Sequence, residues 1–141
     1  MSKPTIAAIA IALLLAPAAI LHTQAHEDHG HFSAGEPGDP KKPTRTVRVL
    51  MIDYGSQTDM KFEPTVIIVQ KGEQIRFVLE NSGTESHEFM LATVAENRKH
   101  AEVMKKFPGM VHDDANGRRV RVSESAELLW KFTKVGEFEF A

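Results

Sequence analysis

The chain of 141 residues contains no cysteine. This absence excludes disulfide bonds and thiolate metal ligands, so a folded domain must be held together by its apolar core. Acidic and basic residues are nearly balanced, at 19 and 17, and the two signs are interspersed along the chain. A clustered basic face is therefore missing, and we expect no nucleic-acid partner.

The sequence also lacks the short motifs that accompany common enzyme chemistry. It has no Gly-x-Ser-x-Gly turn, no phosphate-cradling glycine loop and no His-Glu-x-x-His pair. Adjacent carboxylates such as Asp113 and Asp114 lie in polar segments, where such pairs are ordinarily only solvated. We expect a protein that is not an enzyme.

The amino-terminal segment has the pattern of a secretory signal peptide. Lys3 precedes an apolar run of about 16 residues from Ile6 to Leu21, and small residues follow up to Ala25. An uncleaved membrane anchor is the alternative, but the run is shorter than the ~20 residues that span a bilayer. We predict cleavage of residues 1–25, a periplasmic or secreted location, and no stable membrane association afterwards.

Residues 26–43 are polar and rich in glycine and proline, which predicts a disordered, flexible arm. The arm carries His26, His29 and His31, here called the arm histidines. After cleavage the free amine of His26 would join these imidazoles in a chelate that suits Cu(II) or Zn(II). We hypothesise that the arm gathers copper. The alternative is a solvated tail without a metal.

The remaining residues, 44–141, are predicted to form one domain of short strands. Ile75, Phe77 and Leu79 alternate with polar residues, as in a strand with one buried face. Residues 65–69 are β-branched and almost wholly apolar, which predicts a strand covered on both faces. The predicted strands cover residues 46–52, 65–69, 73–81, 88–91, 119–122, 126–132 and 138–140, and residues 60–62 are predicted as a short extended piece.

One helix is predicted within this series of strands. Residues 94–107 are mostly good helix formers, and Pro108 with Gly109 ends the segment. About seven short strands and one inserted helix predict an all-β Greek-key β-sandwich. The expected apolar stripe of the helix consists of Val94, Ala101, Met104 and Phe107.

A histidine follows the best-defined strand of the domain. Residues 73–81 lead through a Ser-Gly-Thr turn to His87, which is flanked by Glu88 and Phe89, and residues 136–141 read Gly-Glu-Phe-Glu-Phe-Ala. This order resembles the cupredoxins, the plastocyanin- and azurin-like blue copper proteins, over residues 44–141. The resemblance implies a cupredoxin-like sandwich, copper as the cofactor, and His87 as the first imidazole ligand.

The resemblance also implies ligands that the chain does not contain. In cupredoxins a cysteine, a second histidine and usually a methionine follow the Gly-x-Phe-x-Phe strand, whereas this sequence stops at Ala141. We expect a C-terminally incomplete domain that ends just before this ligand loop. The alternatives are a domain that has lost its metal centre, and a His87 that is only a half-buried structural residue.

A second group of soft ligands lies in and after the predicted helix. His100 and Met104 are four residues apart and therefore face the same way, and Met110 and His112 follow in a loop. Imidazole and thioether ligands together suit Cu(I), so the four residues form a candidate second copper site. The alternative for Met104 is an ordinary core position, because methionine often fills gaps in cores.

The sequence therefore supports three interpretations. The leading one is an exported copper-binding protein of the cupredoxin type, whose family role is one-electron transfer or copper handling, with a redox protein as partner. The second is a periplasmic copper chaperone or resistance protein that uses His and Met sites without a blue copper centre. The third is a cupredoxin-like module that binds another protein and no metal.

Overall fold

The structure is a computed structural model, and it describes residues 32–55, 59–110 and 113–141. The predicted signal peptide, the arm histidines and His112 lie outside these residues. No helix in the described part has the length and apolar content needed to cross a bilayer.

The described residues form eight strands and one helix. Five strands make one sheet in the order β1-β7-β4-β2-β3, and three make a second sheet in the order β6-β5-β8. In chain order the elements are β1 (Glu36–Pro37), β2 (Arg45–Ile52), β3 (Lys61–Glu63), β4 (Gln74–Asn81), β5 (His87–Ala92), α1 (Val94–Lys106), β6 (Gly117–Val120), β7 (Ser125–Lys131) and β8 (Glu139–Phe140).

The core lies between the two sheets, because alternate residues of their strands point inward. Ile75, Phe77 and Leu79 of β4 are buried, as their alternation with polar residues predicts. Phe77 meets Phe89 of the second sheet with ring centroids 5.5 Å apart. The predicted all-β sandwich with one helix is confirmed. Its buried cluster consists of Ala34, Val49, Met51, Ile75, Phe77, Leu79, Phe89, Leu91, Val120, Leu128, Trp130 and Phe132.

Strands β2 and β4 are parallel neighbours, and this pairing positions the site described below. Val49 is paired with Leu79, and Met51 with Asn81. Parallel strands end at the same edge of a sheet. The residues that follow β2 therefore lie beside the turn that follows β4.

Helix α1 covers the predicted helical segment but docks by a different face. Thr93 and Glu96 form a capping box at its start. The predicted apolar stripe is not buried, since Val94 and Phe107 are exposed. Asn97 is the buried residue of the helix, and its Nδ2 donates to the Glu139 carbonyl oxygen at 3.2 Å. A polar anchor, rather than an apolar stripe, therefore attaches α1 to the sandwich.

Residues 65–69 form no strand, so this strand prediction is wrong. Ile67 and Val69 pack against the core, whereas Val66 and Ile68 are 74% and 85% exposed. In the described part of the chain no strand pairs with this segment. Its β-branched composition therefore produces an extended segment without ladder hydrogen bonds.

Residues 32–43, predicted as part of the flexible arm, are docked on the larger sheet. Ala34 is fully buried, and the Phe32 ring meets the Trp130 ring edge-on with centroids 5.3 Å apart. Ser33 hydrogen-bonds Glu96 of α1, and β1 pairs with β7. The ordered domain therefore includes this part of the chain, which the polar composition did not indicate.

Candidate metal site

His87 is the first residue of β5 and is paired with Val120 of β6. It shares a strand face with Phe89 and Leu91, both of which are buried in the core. Its imidazole is therefore on the inward face, at the end of the sandwich, and its side chain is 10% exposed. The ring is held by packing without being sealed from solvent.

The buried carboxylate of Asp53 holds one nitrogen of this ring. His87 Nε2 lies 2.7 Å from Asp53 Oδ2. The same carboxylate accepts hydrogen bonds from the Thr84 hydroxyl at 2.6 Å, the Thr84 amide at 2.7 Å and the Gly55 amide at 3.0 Å. The Thr84 hydroxyl above all, with the Gly55 amide and His87, holds the pKa of Asp53 far below its usual value, against the opposing effect of burial.

The ionised carboxylate fixes the tautomer of His87. An ionised carboxylate only accepts hydrogen bonds, so Nε2 of His87 must be the donor. In a neutral imidazole Nδ1 then carries the lone pair that a metal ion uses. No hydrogen bond joins Nδ1 to a described residue. His87 thus has one oriented nitrogen that can bind a metal ion.

The turn between β4 and β5 is locked by Asn81. Its Nδ2 donates to the carbonyl oxygens of Glu85 and Val120 at 2.7 and 3.0 Å, and its Oδ1 accepts from the Gly83 amide at 2.9 Å. Asn81 is buried, so these bonds are shielded from water. The side chain ties the turn to β6 and thereby sets the position of His87.

Gly83 is required for the close approach of Asp53 to His87. A Cβ at this position would lie 2.1 Å from Asp53 Oδ2 and 2.9 Å from His87 Nε2. Both distances are shorter than side-chain contacts allow. Only a residue without a side chain fits between the turn and the carboxylate.

Strand β8 runs along β5 in the direction of His87. The Met90 amide donates to the Ala141 carbonyl oxygen at 2.8 Å, and the Ala141 amide donates to the Met90 carbonyl oxygen at 3.1 Å. Ala141 therefore lies three positions from His87 along β5. The Phe140 ring stacks on Phe89 with centroids 5.5 Å apart.

The described residues do not complete a copper centre around His87. No group of three His, Cys, Asp or Glu side chains that could hold a metal ion occurs among them. A blue copper centre also needs a thiolate, and none of the 141 residues is a cysteine. Of the ligands that the resemblance implies, His87 is present and the type 1 set does not fit these residues.

Three residues of the predicted second site line one surface pocket. His100, Met104 and Met110 border a cavity of about 370 Å³ along one side of α1. His100 Nε2 lies 2.9 Å from Glu88 Oε2. Met104 is half-buried and is not part of the core cluster, so the alternative of a core position is wrong. The structure thus brings together the described members of this site.

Asp53, Thr84 and Gly83 belong to the site but were not predicted from the sequence as part of it. Asp53 is 34 residues from His87, and no motif joins them. The parallel pairing of β2 with β4 is the signal that would have placed Asp53 beside the turn, but strand order is not readable from alternation. The Asp-Tyr-Gly sequence after β2 indicates only a turn.

Fold and site together define an all-β domain that presents an oriented imidazole at its edge. The chain is 44% identical over 120 residues to the copper-resistant cuproprotein CopI of Rubrivivax gelatinosus. The aligned residues are 85% of this chain and 70% of that relative. It is 32% identical over 147 residues to CopI of Pseudomonas aeruginosa, covering 84% of this chain and 77% of the relative. It is 31% identical over 122 residues to CopI of Vibrio cholerae, and this alignment covers 85% of this chain and 69% of the relative.

The chain belongs to the family of the copper-resistant cuproproteins CopI. No protein-family profile matches it. The resemblance to the cupredoxins therefore stays a prediction.

Proposed function

We propose that the protein binds copper outside the cytoplasm and contributes to copper resistance. Its relatives are named copper-resistant cuproproteins. This name favours the resistance interpretation over one-electron transfer, which stays a prediction. The predicted signal peptide supports an exported, periplasmic location, where an excess of copper is met first. The protein acts by binding the metal and not as an enzyme.

The contact between His87 and Asp53 is the observation that carries this proposal. Metal-ligating histidines commonly donate their second N–H to a carboxylate, which fixes the ring and strengthens the ligating nitrogen. Here the 2.7 Å contact commits Nε2 to Asp53 and leaves Nδ1 as the nitrogen that can bind a metal ion.

The cupredoxin resemblance gives this site its expected setting. A rigid sandwich holds the ligand in place, so little rearrangement accompanies metal binding. Because none of the 141 residues is a cysteine, we expect a copper complex of this chain without the intense visible absorption of a blue centre. His87 supplies one imidazole of this complex.

Calorimetric titration of the chain with copper tests the proposal. His87→Ala removes Nδ1, and we expect a loss of affinity of at least about tenfold, the scale measured for perturbed metal ligation. Ser86→Ala is the matched control, since Ser86 is an exposed neighbour on the same turn. Equal affinities for the His87→Ala variant and the unmodified chain would overturn the proposal.

A further inference from the structure

The chain after α1 folds back over the last turn of the helix. Residues 107–110 form a β-turn in which the Met110 amide donates to the Phe107 carbonyl oxygen at 3.0 Å. Pro108 occupies the second position of this turn, where its fixed φ is favourable. The reversal places Met110 beside the helix instead of leading the chain away from it.

The pocket along this side of the helix is lined by two thioethers and one imidazole. His100 and Met104 are one helical turn apart on the same face of α1, and Met110 faces them from the loop. The 370 Å³ volume is open to solvent, so an ion can reach it. These residues come from separate parts of the chain, and the β-turn brings them together.

The two thioethers are not used for packing of the core. Met110 is 41% exposed, and Met104 is absent from the cluster of core residues. Met51, in contrast, is fully buried, and Met60 packs against the core. The sulfur atoms of Met104 and Met110 therefore line a pocket in which packing does not require them.

The surroundings of the pocket also favour a cation. Glu88 contacts Nε2 of His100 and orients the ring, as carboxylates do beside ligating histidines. Glu96 and Asp114 border the pocket together with Lys99. Hydrogen bonds from the Ser33 hydroxyl and the Thr93 amide lower the pKa of Glu96, so this carboxylate is charged at neutral pH.

We propose that His100, Met104 and Met110 form a second metal site that is selective for Cu(I). Thioether ligands are soft and select Cu(I) over hard divalent cations, while imidazole binds copper in either oxidation state. The choice of copper rests on the function proposed above, but the ligands are separate from His87. The pocket would hold the reduced metal as cargo.

Competition with a chromophoric Cu(I) chelator under anaerobic conditions tests this site. The variant carries both Met104→Leu and Met110→Leu, which keep volume and apolar character and remove only the sulfur atoms. We expect its Cu(I) affinity at the pocket to fall by at least about tenfold. Met60→Leu is the matched control, and it should leave Cu(I) binding unchanged.

X-ray absorption of the Cu(I) complex supplies an independent readout. The chain has no cysteine, so any sulfur bound to copper belongs to a methionine. Copper–sulfur scattering should be present in the unmodified chain and in Met60→Leu, and it should disappear in the double variant. An unchanged affinity and unchanged sulfur scattering in the double variant would overturn the second site.

The His87→Ala background separates this inference from the proposed function. Cu(I) binding at the pocket should persist in that background, because His87 does not line the pocket. If only His87→Ala weakens copper binding, the second site is wrong and the proposed function stands. If only the double variant weakens binding, the role of His87 is wrong and the thioether site stands.

Discussion

Replacement of Gly83 by alanine is the sharpest perturbation of the site, because the new methyl group collides with both partners of the central contact. The Cβ would lie 2.1 Å from Asp53 Oδ2 and 2.9 Å from His87 Nε2. Ordinary contacts between such atoms are about 3.5 Å, so the carboxylate must withdraw by about 1.4 Å or the turn must shift. Either movement breaks the 2.7 Å contact between Asp53 and His87.

The expected cost follows from overpacking of a tight site. Inserting one carbon into a well-packed region costs about 1–3 kcal/mol. For a domain of this size that corresponds to a fall in Tm of about 5–15 °C. Differential scanning calorimetry measures the fall, and ¹⁵N NMR of the imidazole should show His87 losing its fixed Nε2–H tautomer.

Gly109→Ala is the control for this experiment. Gly109 has no atom within 4 Å of an added Cβ, and its backbone is not in the left-handed region. Its Tm should stay within about 2 °C of the unmodified chain, as for most surface substitutions. A Gly83→Ala variant that melts with the control and keeps the tautomer of His87 would refute the packing argument.

Three further predictions concern the turn, the pH and the arm. Asn81→Ala should lower the free energy of unfolding by about 2–4 kcal/mol in urea titrations, because it leaves buried backbone groups without partners. The control variant Ser82→Ala should change this free energy by less than about 0.5 kcal/mol. The pKa values of Asp53 and Glu96 are lowered on folding, so the stability that these carboxylates contribute is complete at neutral pH and is lost as the pH falls below about 4. The Asp53→Asn variant should therefore show a weaker dependence of the unfolding free energy on pH, measured by urea titrations at a series of pH values. Replacing the three arm histidines with alanine should weaken copper uptake in calorimetry, and unchanged uptake would remove the arm from the account.

The alternation of apolar and polar residues along the chain predicted the strands that bury one face. The alternation at Ile75, Phe77 and Leu79 located β4, and that at Leu128, Trp130 and Phe132 located β7. Burial of alternate residues in a sandwich is a local property, so a single sequence contains it.

The apolar run at residues 65–69 shows where this reasoning stops. Its composition favours a strand, but a strand forms only if another strand offers hydrogen bonds along its edge. No described strand does so. Pairing is decided by tertiary structure, and composition alone does not reveal the partner.

Helix α1 shows a similar limit on a smaller scale. Its extent was predicted within a residue, because helix propensity and the stop at Pro108 and Gly109 are local signals. The face by which it docks was not predicted, because the helix is anchored by the hydrogen bonds of buried Asn97 and not by burial of apolar side chains. Hydrophobic periodicity cannot identify a polar anchor.

The candidate site was partly readable from the sequence. His87 and the group of His100, Met104 and Met110 were selected by residue type and spacing, and the structure gives each a defined setting. Asp53 was not selected, because its relation to His87 depends on the parallel pairing of two distant strands. The nitrogen that is available to a metal is decided by that contact.

The most direct test of the central claim is ¹⁵N NMR of the His87 imidazole during titration with Cu(I), which is diamagnetic. The account predicts that the Nδ1 resonance of His87 shifts strongly on binding, while Nε2 keeps the proton that it donates to Asp53. Unchanged resonances of His87 at saturating Cu(I), or a shift at Nε2 with loss of its proton, would contradict the account.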